Sequence, residues 1–225
     1  MDKDDKNRSY LMSWSGGKDS CLALYEALRL GYRVSRLMNF ISTDPKRVRF
    51  HGTNPGLIQL QGEALGIPVH QPETTWDGYE RDFKAAVGGM VPLGIKGMVF
   101  GDIYLQEHLD WVQRVCSEIG IEAVEPLWGR DTGELYSSFV EAGFEAVIIG
   151  AKAELIESHW LGKKLDRAFA DYTKARGIDP CGEKGEYHTL VTAGPIFRRR
   201  IAIGQSELQS RDGYWLLDIK KYGLE

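Results

Sequence analysis

The sequence predicts an α/β protein: a doubly wound, mostly parallel sheet followed by a smaller C-terminal α/β domain. Three observations carry this. Short apolar runs alternate with amphipathic stretches from Tyr10 to Val124. Glycines stand where those stretches stop, at Gly31, Gly66 and Gly120. The segment Glu125–Thr132 (EPLWGRDT), with its Pro and Gly, then breaks the rhythm. Strand and helix in alternation imply parallel strands with helices on both faces. Ligands of such sheets bind outside the carboxyl ends of the strands.

Taken in order, Tyr10–Trp14 reads as a short buried strand. Cys21–Leu30 follows with apolar residues at 21, 24, 27 and 28, a helical spacing. Val34–Ile41 reads as a second strand, and Pro55–Leu65 as a helix closed by Gly66. Ile67–His70 is a third strand and Trp76–Val87 a third helix. Gly97–Gly101 and Leu109–Ile119 form a fourth pair, and Glu122–Val124 a fifth strand. Beyond the break come a helix over Gly133–Ala142, a strand over Ala146–Gly150 and a helix over Lys163–Ala175. A Gly- and Pro-rich loop, Gly177–Gly185, leads into two or three strands ending near Ile219. The expected domains are 1–125 and 126–225.

The chain has 225 residues, 43% of them apolar, enough for a packed core. Its net charge is −4, which excludes a broad basic coat for nucleic acid. The N-terminal MDKDDKNRSY is charged and does not read as a signal peptide. No apolar run approaches a membrane span. The three cysteines, Cys21, Cys116 and Cys181, lie far apart, which excludes a disulfide scaffold and a paired-cysteine zinc site. A reducing, cytoplasmic setting is expected.

Ser13–Ser20 reads SWSGGKDS, between the first strand and the first helix. Paired Gly16 and Gly17 let the backbone turn sharply and aim successive N–H groups at one point. The following helix presents its positive end there. Ser15 and Ser20 add hydroxyls, and Lys18 a charge. The arrangement suits a pyrophosphate. No glycine stands where a Walker A loop requires one before Gly17–Lys18. Asp19, a carboxylate among phosphates, calls for Mg²⁺ or fixes the loop backbone.

A second cluster is Pro180–Thr189 (PCGEKGEYHT), where Glu183, Glu186 and His188 fall within six residues. Two acids and an imidazole on a Gly-rich loop can bind a cation, orient an amine or move a proton. On composition alone, a polar hairpin with solvated acids and a strand-entry histidine is the simpler reading.

SGGKDS resembles the PP-loop signature of the ATP pyrophosphatase superfamily. That resemblance implies an adenine-nucleotide-hydrolase-like sheet and cleavage of ATP between its α- and β-phosphates. The PP-loop, EPLWGRD at 125–131, SHWLGKKLD at 158–166 and GEKGEYHT at 182–189 occur in one order, with FHGTN at 50–54 and GDI at 101–103. Together they resemble the diphthine–ammonia ligase family, from about Tyr10 to Phe197. The resemblance implies ATP and Mg²⁺ as cofactors, ammonium as nitrogen source, and translation elongation factor 2 as protein substrate. The product would be diphthamide, with AMP and pyrophosphate released. No amidotransferase domain is evident in the chain.

Carried over to this chain, Ser13, Ser15, Gly16, Gly17, Lys18, Asp19 and Ser20 would hold the ATP phosphates, and residues 1–125 would be the ATP-binding domain. Gly101 and Asp102 would face the nucleotide, with Asp19 and Asp102 toward Mg²⁺. His51 and Asn54 would contact bound ligand, although Asn54 suits a helix cap equally well. Asp19, Glu183, Glu186 and His188 would be catalytic, the last three on the acceptor side in the substrate domain, 126–225. Trp160 reads as core and Cys21 as packing. Cys181 is open to a thiol role. The run Arg198–Arg200 reads as a solvated edge.

The pattern departs at Tyr104–Trp111 (YLQEHLDW), where the family continues toward a Tyr-Gln-Arg-type segment. His108 there reads as an exposed helix residue. This departure leaves the acceptor open. A PP-loop enzyme adenylating a small carboxylate or a tRNA base is one alternative. A nucleotide-binding protein without turnover is another. The acidic pI of about 5.8 and the lack of paired cysteines argue against a nucleic-acid partner. A homodimer is expected without a residue-level argument.

Overall fold

A computed structural model of the chain describes residues 9–43, 46–48 and 53–225. Its first sheet holds five parallel strands: β1 (Ser9–Ser13), β2 (Val34–Met38), β5 (Val69–His70), β7 (Ile95–Val99) and β8 (Glu122–Val124). Their order across the sheet is β5-β2-β1-β7-β8. The order reverses between β1 and β7, so the crevice beyond their carboxyl ends is where a ligand of such a sheet sits. The loops that open there are 14–17 and 100–105.

The helices are α1 (Lys18–Arg29), α2 (Pro55–Leu65), α3 (Tyr79–Gly88) and α4 (Gln106–Glu118). Side-chain alternation along the strands distributes them. Tyr10, Met12, Leu37 and Val99 pack with Cys21, Leu24 and Ile58 of α1 and α2. Leu11, Met38 and Met98 pack on the opposite side with Phe83 of α3 and Val112 and Val115 of α4. The sheet is therefore doubly wound, as expected. Helix α2 ends where its glycine predicts: Gly66 has φ 71°, and its N–H caps the last turn.

Several boundaries move; α1 and α4 each start three residues earlier than expected, at Lys18 and Gln106. The expected strand Val34–Ile41 divides after Met38, and Ile41–Thr43 becomes β3, paired with β4 (Lys46–Val48) and β6 (Glu73–Thr74) in a small separate sheet. The buried Asn39 marks the division, its side-chain amide bonded to the Trp14 carbonyl at 2.7 Å. The third helix starts at Tyr79 rather than Trp76. Helix α6 (Arg167–Ala175) starts later than expected because Asp166 caps it, accepting from Phe169 N at 3.1 Å, while Lys164 bridges to Val147.

The C-terminal part carries a four-stranded antiparallel sheet, β10-β9-β12-β11, with α5 (Thr132–Glu141) and α6. Its strands are β9 (Glu145–Lys152), β10 (Tyr187–Ala193), β11 (Ile201–Arg211) and β12 (Tyr214–Leu224). The last two form a long hairpin that continues past Ile219. Its turn is Asp212-Gly213, both at positive φ (50° and 79°), a dipeptide suited to a tight hairpin. One face of this sheet packs on α5 and α6 through Ile148, Tyr187, Phe139 and Phe169. The other packs on α2 through Ile149, Leu190, Leu57 and Ala64. Helix α2 is thus buried between the two sheets. Among the described residues no helix is long and apolar enough to cross a membrane.

Candidate active site

The turn after β1 is shaped by its neighbours. Gly16 has φ 84°, and a Cβ there would stand 2.5 Å from both Gln61 Oε1 and Ile58 Cδ1 of α2. Only glycine fits this packing and this backbone. Gly17 is the N-cap of α1 and brings no side-chain cap, so the positive end of the helix faces the crevice. Ser15 and Ser20 hydroxyls lie 3.1 Å apart, and Ser20 Oγ donates to Gly17 O at 3.0 Å. Gly101, beyond β7, approaches from the other side. A Cβ there would be 3.0 Å from the Ser20 nitrogen, so this glycine admits α1 to the sheet end.

The C-terminal sheet grips this turn. Val191 N donates to Gly16 O at 2.9 Å, and Lys18 N donates to Thr189 Oγ1 at 3.0 Å. Gln61, fully buried, ties three segments together. It donates to Gly16 O at 3.0 Å and Val191 O at 2.8 Å, and accepts from Trp14 Nε1 at 2.9 Å. Lys18 is buried. Its Nζ reaches Asp19 Oδ2 at 2.8 Å and the Cys181 carbonyl, and stands 5.0 Å from the centre of the Tyr187 ring. Burial disfavours this ammonium, but Asp19 and the groups around Cys181 more than offset it and hold its pKa above the ordinary value. Lys18 is therefore a tether between the loop and the Gly-rich segment.

Carboxylates gather next to it. The Asp102, His108 and Glu183 ligand atoms all lie within 4.8 Å of one another. His108 Nδ1 is 3.0 Å from Asp102 Oδ1, and Glu183 Oε1 accepts from Ile103 N at 2.9 Å. His108 is the exposed helix residue that the sequence suggested, and α4 also begins close enough to Asp102 to bring its first-turn imidazole onto that carboxylate. Burial, with repulsion from Asp19 and Asp102, lifts Glu183 to about 7. Burial and Asp102 lift Glu125, just beyond β8, to about 7 as well. Glu125 Oε2 is buried without a hydrogen-bond partner. Sequence reasoning passed over Glu125 as a site residue. Its position directly after a strand of the parallel sheet was the available signal.

The second motif is divided between two cavities, with both glutamates in the turn before β10 and His188 on the strand. Glu183 and His188 line a cavity of about 120 Å³ with Lys18, Asp19 and Thr189. Glu186 instead lines a larger groove of about 1300 Å³ framed by α5, α6 and the 177–180 turn. His188 lies against Gly150, and burial, reinforced by Lys18 and Lys152, lowers its pKa to about 4. It is neutral at pH 7.

The remaining expectations sort simply. Asn54 caps α2, accepting from Gly56 N at 2.9 Å. His51 lies outside the described residues. Ser13 ends β1, paired with Met38. Trp160 packs on Phe169 and Tyr172, with ring centres at 5.1 and 4.9 Å. Cys21, Cys116 and Cys181 are free and buried. Burial raises the Cys181 thiol, which faces the Thr132 carbonyl at 3.3 Å, so it is a packing group rather than a nucleophile. Arg200 pairs with Glu145 at the surface.

The Diphthamide synthase N-terminal domain matches residues 8–123, and the Diphthamide synthase C-terminal domain matches residues 131–224. A diphthine–ammonia ligase of Schizosaccharomyces pombe is 26% identical over 216 residues, 86% of this chain and 36% of that protein. This chain thus spans little more than a third of the fission-yeast protein. Diphthine–ammonia ligases of Danio rerio and Homo sapiens are each 25% identical over 219 residues. They match 86% of this chain, and 85% and 82% of their own lengths.

Proposed function

The chain belongs to the diphthamide synthase family, and from that premise we propose that it is an ATP-dependent diphthine–ammonia ligase. One observation carries the reading furthest: the SGGKDS turn lies at the β1/β7 crevice and is held there by the strand bearing the second motif. An ATP site and an acceptor site on those two segments would share a wall. We further propose residues 1–125 as the ATP-binding domain and 126–225 as the acceptor domain, in a cytoplasmic protein.

In this proposal the Ser15–Gly17 backbone, the α1 N-terminus and the Ser15 and Ser20 hydroxyls hold the phosphates. Lys18 fixes the turn against the Cys181 carbonyl and keeps Asp19 in place. Asp102 and Glu183 lie together with His108, and Asp19 is near enough to repel Glu183; their carboxylates offer the oxygen donors that Mg²⁺, a hard cation, prefers. The buried, partnerless oxygen of Glu125 behind Asp102 fits the same need for positive charge. Bound there, Mg²⁺ would neutralise the charge of the phosphates.

The acceptor is the diphthine carboxylate on translation elongation factor 2. Its oxygen bonds to the α-phosphorus, and pyrophosphate leaves. Ammonia then attacks the acyl carbon of this mixed anhydride, AMP leaves, and the amide is diphthamide. The loop N–H groups and the α1 N-terminus are placed to stabilise charge as it develops on the phosphates. His188, neutral and partly buried, closes the cavity wall without adding charge.

The test mixes the protein with ATP, Mg²⁺, ammonium and diphthine-bearing elongation factor 2. AMP and pyrophosphate are measured together with the factor's mass. The expected result is AMP release that depends on the factor, with the mass change of an acid becoming an amide. ATP binding with no factor-dependent AMP would reject this acceptor.

A further inference from the structure

The segment Tyr104–Trp111 (YLQEHLDW), where the family pattern breaks off, puts an imidazole among the carboxylates beyond β7. Helix α4 starts shortly after Asp102 and carries His108 in its first turn. His108 Nδ1 stands 3.0 Å from Asp102 Oδ1, and its ring is half-exposed. One donor atom each from Asp102, His108 and Glu183 lies within 4.8 Å of the others. Among the described residues this is the one such group of three potential metal ligands. Three segments supply it: the loop after β7, the first turn of α4 and the Gly-rich loop before β10.

Both spacing and charge suit an ion held by these side chains. Two donors each about 2.1 Å from one ion, at right angles to each other, lie about 3 Å apart. The His108–Asp102 spacing matches that. Glu125, close enough to feel the Asp102 charge, has its Oε2 buried with no hydrogen-bond partner. Asp19 is near enough to repel Glu183, and the Lys18 ammonium is already engaged by Asp19 and the Cys181 carbonyl. Carboxylates gathered and buried in this way are costly unless a cation compensates them. Gly101, next to Asp102, packs on the backbone of Asp19 and Ser20, so the cation would lie beside the phosphate turn. His108 decides which cation that is. Mg²⁺ is hard and keeps oxygen ligands and waters. An imidazole suits ions of the first transition row.

We propose that Asp102, His108 and Glu183 form a site for a divalent ion of the first transition row, with His108 as its nitrogen ligand. The proposal rests on the ligase reading only in placing a cation at Asp102 and Glu183. It adds that His108 makes the site prefer ions such as Mn²⁺ or Zn²⁺ to Mg²⁺, whatever the acceptor.

The experiment titrates the full chain, without nucleotide, with Mg²⁺, Mn²⁺ and Co²⁺ in separate calorimetric runs, and records pulsed EPR of the Mn²⁺ form. Affinity should rise in the order Mg²⁺, Mn²⁺, Co²⁺, with Co²⁺ about tenfold or more tighter than Mg²⁺. The Mn²⁺ spectrum should show coupling to a directly bound nitrogen. Labelling the chain with ¹⁵N-histidine should change that coupling, which tests the imidazole without a substitution. His108→Gln, at a half-exposed position, should fold. It should abolish the nitrogen coupling and weaken Co²⁺ about tenfold or more, while Mg²⁺ binding changes little. Mg²⁺ bound as tightly as Co²⁺, no nitrogen coupling in the wild type, or a coupling that survives in His108→Gln would overturn the proposal. Factor-dependent AMP formation in the same preparation would leave the ligase reading standing in that event. The metal signature without it would sink the ligase reading alone.

Discussion

Gln61 bears more of the site than its position in an amphipathic helix suggests. Its amide holds the PP-loop, the second motif's strand and Trp14 in one fully buried contact. Gln61→Leu keeps the volume roughly and leaves buried polar groups unpaired, each costing about 1–3 kcal/mol. Denaturant unfolding should show a loss of that order or more, and calorimetry should show weakened ATP binding. Wild-type stability and affinity in the variant would contradict this role. The PP-loop itself was readable because its residues are contiguous and each type has a local reason to be there. Gln61 was not, because its partners lie 45 and 130 residues away. The exposed helical position of His108 was legible, but nothing in YLQEHLDW shows that the chain folds it back onto Asp102.

At the scale of elements, β10 joins the two sheets. Thr189 receives the Lys18 N–H, and Val191 N reaches Gly16 O. Thr189→Val keeps the shape and removes the acceptor. It should cost about 1–3 kcal/mol in unfolding experiments and weaken ATP binding more than the catalytic turnover that remains at saturation. Unchanged ATP affinity would show that the strand does not set the loop. Helix ends were legible where a glycine or a cap carries the signal, as at Asn54 and Gly66 for α2. The division of β2 from β3 was not, since both pieces are apolar enough for one strand and only the tertiary placement of Asn39 parts them. Strand β12 was under-read past Ile219 because the exposed Lys220 and Lys221 interrupt its apolar pattern before Tyr222 and Leu224 pack again on the core.

For the whole molecule, burial of titratable groups between the sheets predicts a pH signature. His188 titrates near 4 when folded and near 6.5 when free, so the unfolded chain binds its proton first. Its contribution is present above about pH 6.5 and is lost as pH falls through 4, about 3 kcal/mol in all. Glu183 and Glu125 act in the opposite sense. Their folded values near 7 exceed the ordinary 4.5, so they add stability as pH falls between those values. Wild-type stability alone is therefore a composite, and the informative quantity is its difference from His188→Gln. Between pH 6.5 and 4 the wild type should lose more stability than the variant. Parallel curves would place the imidazole in water.

The central claim is that the acceptor's own carboxylate oxygen is joined to the α-phosphate. It is tested most directly by labelling that carboxylate with ¹⁸O on diphthine-bearing elongation factor 2 and following the label through one turnover with ATP and ammonium. The account predicts ¹⁸O in the released AMP and none in pyrophosphate. Unlabelled AMP, or ADP with label in inorganic phosphate, would contradict it.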